Sequence, residues 1–264
     1  MLTAPAVTIA LTFFCLLAVG QQADTAYRLI AHRGGVVDEL HIEHSLSGLQ
    51  AAIERGYWMV EIDVRATKDG LPVMHHDRDF RRYYKHPQNV ADMTWEEIKH
   101  LRSIPGDHRP LLLSEFAAAC RGKMNVMIEM KGPSHGVQYY KSVELILREN
   151  NLLDKAYMIG ISEAKDYFRG KVRTSVQREG LEKATVVGED VANLYFLFTG
   201  ARYLDKETVS LARKSGIPIV AAINRHHYQD SNAMQDAQTD ILRMEELGVR
   251  MFQIDSIYDR WLLK

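Results

Sequence analysis

Short β-like runs alternate with helical runs along most of this chain, and this alternation restricts the fold more than any other feature. Eight main β-like runs lie between residues 27 and 264, with a helical run after most of them. Parallel strands joined by helices are buried on both faces, which fits the apolar run Ile217–Ile223. Eight such units in roughly 240 residues predict one α/β domain with a TIM barrel fold. An open, doubly wound sheet is the alternative.

The segment Met59–Asp77 is predicted to form a strand, a turn and a second strand. Apolar and charged residues alternate along its first half, so Glu61 and Asp63 project from one face. Gly70 follows an aspartate, and this dipeptide favours a turn because glycine accepts a positive φ. Taken alone, the segment also fits a solvated edge hairpin with its charged face in water.

Polar residues recur at the ends of the predicted strands. In a TIM barrel the functional site lies at the carboxyl ends of the strands. Each residue taken singly also fits an ordinary loop charge or a capped helix end, but their recurrence at one end predicts a common site. The residues are His32, Arg33, Glu61, Asp63, His76, Glu129, Lys131, Asn224 and Asp255.

These residue types suit a metal-assisted reaction at phosphorus. Glu61, Asp63 and Glu129 supply three hard oxygen ligands, enough to hold one divalent cation, Mg²⁺ or Ca²⁺. Arg33 and Lys131 place positive charge beside that position, which suits a phosphate better than a carbonyl group.

Two histidines provide candidates for proton transfer. His32 and His76 can act as general acid and general base on opposite sides of a phosphorus atom. His75 is a rival for the second position. Strand alternation directs His75 and His76 to opposite faces, so only one of them faces the site.

Composition and the first residues restrict partners and location. The formal net charge of −1 gives no indication of binding to nucleic acid or to an anionic membrane. Residues Met1–Gly20 carry no charged side chain and predict a signal peptide cleaved before Gln21, hence an exported protein. An uncleaved amino-terminal membrane anchor is the alternative. After cleavage we expect no stable membrane insertion, and Cys120 is the only cysteine left, so no intrachain disulfide forms.

The ordered motifs resemble the glycerophosphodiester phosphodiesterase family. That family's pattern runs His-Arg-Gly, Glu-Asn, Glu-x-Asp-Val, Lys-Asp-Gly, His-Asp and Glu-x-Lys, and the resemblance extends from about Ala31 to Asp255. The corresponding residues here are His32-Arg33-Gly34, Glu43-His44, Glu61-Ile62-Asp63-Val64, Lys68-Asp69-Gly70, His76-Asp77 and Glu129-Met130-Lys131.

The resemblance implies a TIM barrel over residues 27–264, with a small insertion at about residues 78–110 after the second-strand hairpin. It implies cleavage of a small glycerophosphodiester to sn-glycerol 3-phosphate and an alcohol. The family places its second catalytic histidine directly before aspartate, which favours His76 over His75. Its implied site comprises catalytic His32 and His76, a divalent ion on Glu61, Asp63 and Glu129, phosphate contacts from Arg33 and Lys131, and support from Glu43 and Asn224.

Three departures from the family pattern affect the substrate more than the reaction. His44 replaces an asparagine, the seventh strand lacks a following tryptophan, and the last strand lacks a following proline. Two other functions remain open: a phospholipase-type phosphodiesterase that acts on intact lipid, and a non-catalytic barrel that acts as a binding protein. The segment Arg78–Asn89 is predicted to be an irregular loop. It is basic and aromatic rather than aliphatic, which argues against a lipid entrance.

Overall fold

The computed structural model of the protein describes residues 26–133 and 135–263. The predicted signal segment Met1–Gly20 and its cleavage point therefore lie outside the described residues. Within the described part of the chain, no helix has both the length and the apolar character needed to cross a bilayer.

Eight parallel strands close into a barrel, which confirms the predicted TIM fold. The barrel consists of β1, β2 and β6 to β11, and β1 pairs with both β11 and β2. An open sheet has two unpaired edges, so this closure excludes the doubly wound alternative. The strands of the described residues are β1 Arg28–Ala31, β2 Met59–Ala66, β3 Pro72–Met74, β4 Asp79–Phe80, β5 His86–Asn89, β6 Asn125–Met130, β7 Tyr157–Gly160, β8 Arg173–Val176, β9 Tyr195–Gly200, β10 Ile219–Ile223 and β11 Met251–Ile254.

The helices surround the barrel and bury their apolar faces against it. Side chains such as Leu49, Phe116 and Leu147 lie in one large cluster with the outward residues of the strands. Ser45 and Asp205 cap the first and ninth helices through hydrogen bonds from backbone N–H groups. The helices are α1 Leu46–Glu54, α2 Arg81–Tyr84, α3 Trp95–Ile98, α4 Leu113–Cys120, α5 Val137–Glu149, α6 Ser162–Phe168, α7 Arg178–Val186, α8 Val191–Leu194, α9 Lys206–Lys214 and α10 Ala233–Glu246.

The barrel interior is apolar in its lower part and acidic at its carboxyl end. Met59 and Met127 belong to a separate buried cluster formed by inward-facing side chains. Side chains two residues apart on a strand share a face, so Glu61 and Asp63 follow Met59 into the interior, and Glu129 follows Met127. The carboxylates therefore stand on an apolar floor, where water cannot solvate them from below.

The interpretation of Met59–Asp77 as a solvated edge hairpin is wrong, although the predicted turn is present. β3 pairs antiparallel with β2, and Gly70 adopts a φ of 77° in the turn. However, β2 also pairs with both β1 and β6, so it is an inner strand of the closed sheet. Glu61 and Asp63 are 0% and 1% exposed.

The insertion follows β3 and is more ordered than predicted. Within Arg78–Asn89, which was expected to be an irregular loop, β4 pairs antiparallel with β5 around α2. The insertion has a small core of its own, in which Phe80 and Ile98 are fully buried. Strands of two and four residues are too short for a periodic pattern, which explains why the sequence did not predict them.

Candidate active site

A strained turn after β1 brings the first site residues to the barrel mouth. Residues His32–Gly34 form a 3₁₀ turn in which Arg33 has a left-handed φ of 56°. The Arg33 backbone N–H donates to Glu61 Oε2 at 2.9 Å, which ties the turn to β2. A Cβ at Gly34 would lie 2.5 Å from the His44 Cα atom, and Gly34 has a φ of 87°. Glycine at this position therefore allows the turn to pack against the segment before α1.

Three carboxylates converge beside this turn. Glu61, Asp63 and Glu129 each offer an oxygen, and these oxygens all lie within 4.8 Å of one another. Glu61 Oε1 and both Asp63 carboxylate oxygens are buried without a hydrogen bond within the described residues. Lys131 offsets part of the charge of Asp63, and a hard divalent cation would compensate the buried carboxylates more fully. The donor set therefore fits the metal that the sequence predicts.

The surroundings shift the pKa values of Glu61 and Asp63 in opposite directions. Burial and the neighbouring carboxylates of Asp63 and Glu129 raise the pKa of Glu61 well above its usual value. Burial also opposes the charge of Asp63, but His44 and Lys131 hold the pKa of this carboxyl below its usual range. Lys131 Nζ lies 3.1 Å from Asp63 Oδ1 and 2.7 Å from Glu129 Oε1. One cation thus already borders the cluster on the side that faces the barrel mouth.

His32 is held with one ring nitrogen directed at the cluster. Its Nδ1 lies 2.7 Å from Asp255 Oδ1, and its Nε2 lies 3.9 Å from Glu61 Oε2. Burial opposes the charge of Asp255, but His32 holds the pKa of this carboxyl below its usual value. An ionised carboxylate accepts only, so Nδ1 donates and Nε2 is the atom free for proton transfer.

His76 has the same kind of support, and the structure places His75 elsewhere. His76 Nδ1 lies 2.8 Å from Asp77 Oδ1, and its Nε2 accepts a hydrogen bond from Arg33 Nη2 at 3.1 Å. His75 points into the insertion, where its Nε2 lies 2.8 Å from the Asp79 carbonyl oxygen. Burial lowers the pKa of His75 to about 4, so this ring is a neutral core residue.

Arg82, on helix α2 of the insertion, connects the predicted site residue Glu43 to Asp77, and the sequence did not predict this role. Its Nη1 and Nη2 atoms donate to the two Glu43 oxygens, each at 2.6 Å, and its Nε donates to Asp77 Oδ2 at 2.7 Å. Glu43 also accepts from Arg33 Nη1 at 2.6 Å. Although burial opposes the charge of Glu43, the two arginines hold its pKa below the usual value. The basic character of the insertion was visible in the sequence, but not which arginine faces the site.

His44, which replaces the usual asparagine, lies directly beneath the acidic cluster. Its Nε2 accepts a hydrogen bond from the Asp63 backbone N–H at 3.0 Å and lies 3.2 Å from Asp63 Oδ2. His44 therefore holds β2, the strand that carries Glu61 and Asp63, in place. Asn224 is buried at the opposite wall and donates to Gln253 Oε1 at 2.9 Å, outside the acidic cluster.

A cavity of about 600 Å³ opens above these residues, and we call it the barrel-mouth cavity. His32, Arg33, His76, Glu129 and Lys131 line one side. Asn224 and four aromatic residues also line this cavity, namely Phe198, Tyr203, His226 and His227. The arrangement brings two carboxylate-supported histidines, two cations and an acidic cluster to one water-accessible space.

The barrel and this site define a TIM-barrel protein with an acidic centre at the carboxyl ends of its strands. A family model described as the glycerophosphoryl diester phosphodiesterase family matches residues 32–166, about half of the chain. The protein belongs to the glycerophosphoryl diester phosphodiesterase family.

Individual relatives agree with this assignment. Glycerophosphodiester phosphodiesterase 1 of Homo sapiens is 30% identical over 115 residues, which cover 40% of this chain and 34% of the human protein. The chain thus matches about a third of the length of this relative.

Two solved structures share the fold. A glycerophosphoryl diester phosphodiesterase from Parabacteroides distasonis superposes with a TM-score of 0.72 at 18% identity, over 92% of this chain and 90% of that chain. A phosphodiesterase from Oleispira antarctica, solved in complex with the product sn-glycerol-3-phosphate, gives 0.69 at 19% identity, over 89% and 94%.

Proposed function

We propose that the protein hydrolyses glycerophosphodiesters to sn-glycerol 3-phosphate and an alcohol. The observation that carries this proposal is the buried acidic cluster of Glu61, Asp63 and Glu129. His32 Nε2 lies 3.9 Å from Glu61, and His76 lines the same cavity as Glu129. Family membership and the product bound to the Oleispira antarctica protein support the choice of substrate class.

Glu61, Asp63 and Glu129 would hold one divalent cation, Mg²⁺ or Ca²⁺. Once bound, it would supply Lewis-acid stabilisation of negative charge on the phosphate oxygens. Burial and the neighbouring carboxylates raise the pKa of Glu61, and a bound cation would favour the charged form of this group.

Arg33 and Lys131 bind and orient the phosphate in this proposal. Arg33 Nη2 contacts His76 Nε2 at 3.1 Å, so an arriving phosphate oxygen would meet both groups at the same point. Lys131 follows β6 and lies beside Glu129 of the acidic cluster. Two fixed cations oppose the charge that grows on the phosphate oxygens in the transition state.

His32 and His76 move the protons. Each Nδ1 faces a carboxylate, Asp255 or Asp77, so proton transfer falls to the two Nε2 atoms. The Nε2 of His76 becomes available once a phosphate oxygen replaces it as the acceptor for Arg33 Nη2. One Nε2 takes a proton from the nucleophile, and the other donates a proton to the departing alkoxide. The nucleophile is either water, which gives sn-glycerol 3-phosphate directly, or the neighbouring glycerol hydroxyl, which gives a cyclic phosphate that water then opens to the same product. The carboxylates fix the tautomers and stabilise whichever imidazole carries the extra proton.

Product formation after metal removal tests the proposal. The chain, incubated with a glycerophosphodiester, should release sn-glycerol 3-phosphate, lose this activity in EDTA, and regain it with Mg²⁺ or Ca²⁺. Calorimetric titration with each cation should show one site, weakened in Asp63→Asn and unchanged in Glu54→Gln on the exposed side of α1. Full activity after exhaustive chelation would refute the metal site, and absence of hydrolysis would favour a binding protein.

We propose export as the location of the protein, on the strength of the uncharged segment Met1–Gly20. Mass spectrometry of the protein from its native host should find Gln21 as the first residue. A chain that retains Met1 in the membrane fraction would instead show an anchor.

A further inference from the structure

A second cavity, of about 410 Å³, opens beside the barrel-mouth cavity, and we call it the side cavity. The two share His32, Arg33 and His226, and the side cavity extends between the insertion and the segment after β10. Tyr83 and Arg225 stand among its walls. A phosphodiester has two substituents, so a phosphate held beside His32 and Arg33 directs one substituent into each cavity.

The acidic residues of the side cavity are already bound. Glu43 receives hydrogen bonds from Arg33 and from both terminal nitrogens of Arg82. Asp255 faces His32 Nδ1 with one oxygen, and its other oxygen accepts from the Arg225 backbone N–H at 2.6 Å. Neither carboxylate is left to attract a cationic substituent.

The guanidinium of Arg225, in contrast, is available to bind a ligand. Among residues 26–133 and 135–263, its guanidinium makes neither a hydrogen bond nor an ion pair. Arg225 is exposed to solvent at the cavity wall, where a ligand can reach it. A guanidinium presents a planar fork of donors that matches the oxygens of a phosphate.

Tyr83 adds a second donor, and a cation already occupies one face of its ring. Its hydroxyl has no hydrogen bond within the described residues, and burial and the charge of Glu43 raise its pKa, so it stays protonated. The guanidinium of Arg82 lies 4.7 Å from the centre of its ring. That face of the ring is therefore closed to a quaternary ammonium.

We propose that the side cavity binds the alcohol part of the substrate and that Arg225 selects alcohols carrying a second phosphate group over alcohols carrying a quaternary ammonium. This inference rests on the proposed hydrolysis of glycerophosphodiesters. Arg225 contacts the distal phosphate, and Tyr83 donates to the same group or to a hydroxyl beside it.

Three substrates test the inference: glycerophosphoglycerol phosphate, its matched neutral analogue glycerophosphoglycerol, and glycerophosphocholine. The terminal phosphate should raise kcat/KM about tenfold over the neutral analogue, since a hydrogen bond between charged groups has this worth. The advantage should shrink as the salt concentration rises, and glycerophosphocholine should be the poorest of the three.

Arg225→Gln removes the charge and keeps a hydrogen-bonding side chain, so the ratio of kcat/KM between the two glycerol substrates should fall to near one. Lys214→Gln is the matched control, because it removes one exposed charge at the carboxyl end of α9, before β10. Its ratio should equal that of the unaltered protein.

The outcomes separate the two proposals. Hydrolysis of all three substrates with no advantage for the terminal phosphate, or with a preference for choline, overturns the role of Arg225 and leaves the proposed function intact. An advantage that survives Arg225→Gln also overturns it. Absence of hydrolysis of every substrate overturns the proposed function and this inference together.

Discussion

Replacement of Arg82 by alanine should damage the site without removing any group that is proposed to react. Arg82 joins Glu43, which holds Arg33, to Asp77, which holds His76. Without Arg82, both Glu43 and Asp77 lose a hydrogen-bond donor that fixes their position. We expect the guanidinium of Arg33 and the ring of His76 to lose their fixed orientation.

The structure sets the size of the effect. Three charge-assisted hydrogen bonds of 2.6, 2.6 and 2.7 Å disappear. The Arg82 side chain is 36% exposed, so water replaces part of what is lost, and we expect the free energy of unfolding to fall by about 1–3 kcal/mol. Groups that orient a reacting residue are typically worth roughly 10–100-fold, and we expect kcat to fall by this factor with a smaller change in KM.

Steady-state kinetics on a glycerophosphodiester and urea unfolding of the same samples measure both effects. The neighbouring variant Arg81→Ala is the control, because Arg81 lies on the same helix but pairs with Asp79 at the surface. Arg82→Lys should recover part of the loss, since an ammonium reaches one carboxylate but cannot bridge two. The pKa of Glu43 should rise once Arg82 is gone, so the acid limb of the activity profile should move to higher pH.

Equal kcat values for Arg82→Ala and Arg81→Ala, both measured on folded protein, would refute this reasoning. A change confined to KM would also refute it, because it would make Arg82 a simple substrate contact. An unmoved acid limb would show that the charge of Glu43 does not limit activity.

Three further changes test other parts of the molecule. The pKa of His75 is about 4 in the folded protein against about 6.5 in the unfolded chain, so the free energy of unfolding should fall by up to about 3 kcal/mol as the pH drops from 6.5 to 4. In urea unfolding at a series of pH values, His75→Gln should show a smaller loss over this range. Equal losses in the two proteins would contradict the prediction. His32→Ala and His76→Ala should each lower kcat by roughly 10²–10⁴-fold, and an activated aryl leaving group should rescue only the variant that lacks the general acid. Gly34→Ala should destabilise the protein more than Gly70→Ala. Both glycines have a positive φ, but only at Gly34, of the two, would an added Cβ meet backbone atoms. Equal melting temperatures of the two variants would contradict this prediction.

Local residue patterns in the sequence were enough to predict the fold and most of the candidate site. The period of two in β2 fixes Glu61 and Asp63 on one face, whatever surrounds the strand. The alternation of strands and helices predicts a parallel barrel, and a barrel predicts that residues at the strand ends, such as His32 and Glu129, meet. These conclusions need only neighbouring residues and the rules that govern regular structure.

Local patterns failed where the signal was short or weak. Helix α7 was not predicted, because only Leu181 and Ala184 are buried in its nine residues and the apolar face is narrow. The capping-box pattern Thr94-Trp95-Glu96-Glu97 predicts a helix that runs to about Arg102. The helix instead ends at Ile98, the one buried residue of α3. The hairpin of β4 and β5 is shorter than any window in which periodicity can be recognised.

The tertiary structure decided which of the available side chains face one another. Arg82 and Glu43 are 39 residues apart, and His32 and Asp255 are 223 residues apart. Nothing in the neighbourhood of Arg82 distinguishes it from the other arginines of the insertion. Such contacts arise only when strands pair and loops pack. The sequence alone therefore determined most of the groups that the site contains, and closure of the barrel determined which carboxylates are buried and which cations they bind.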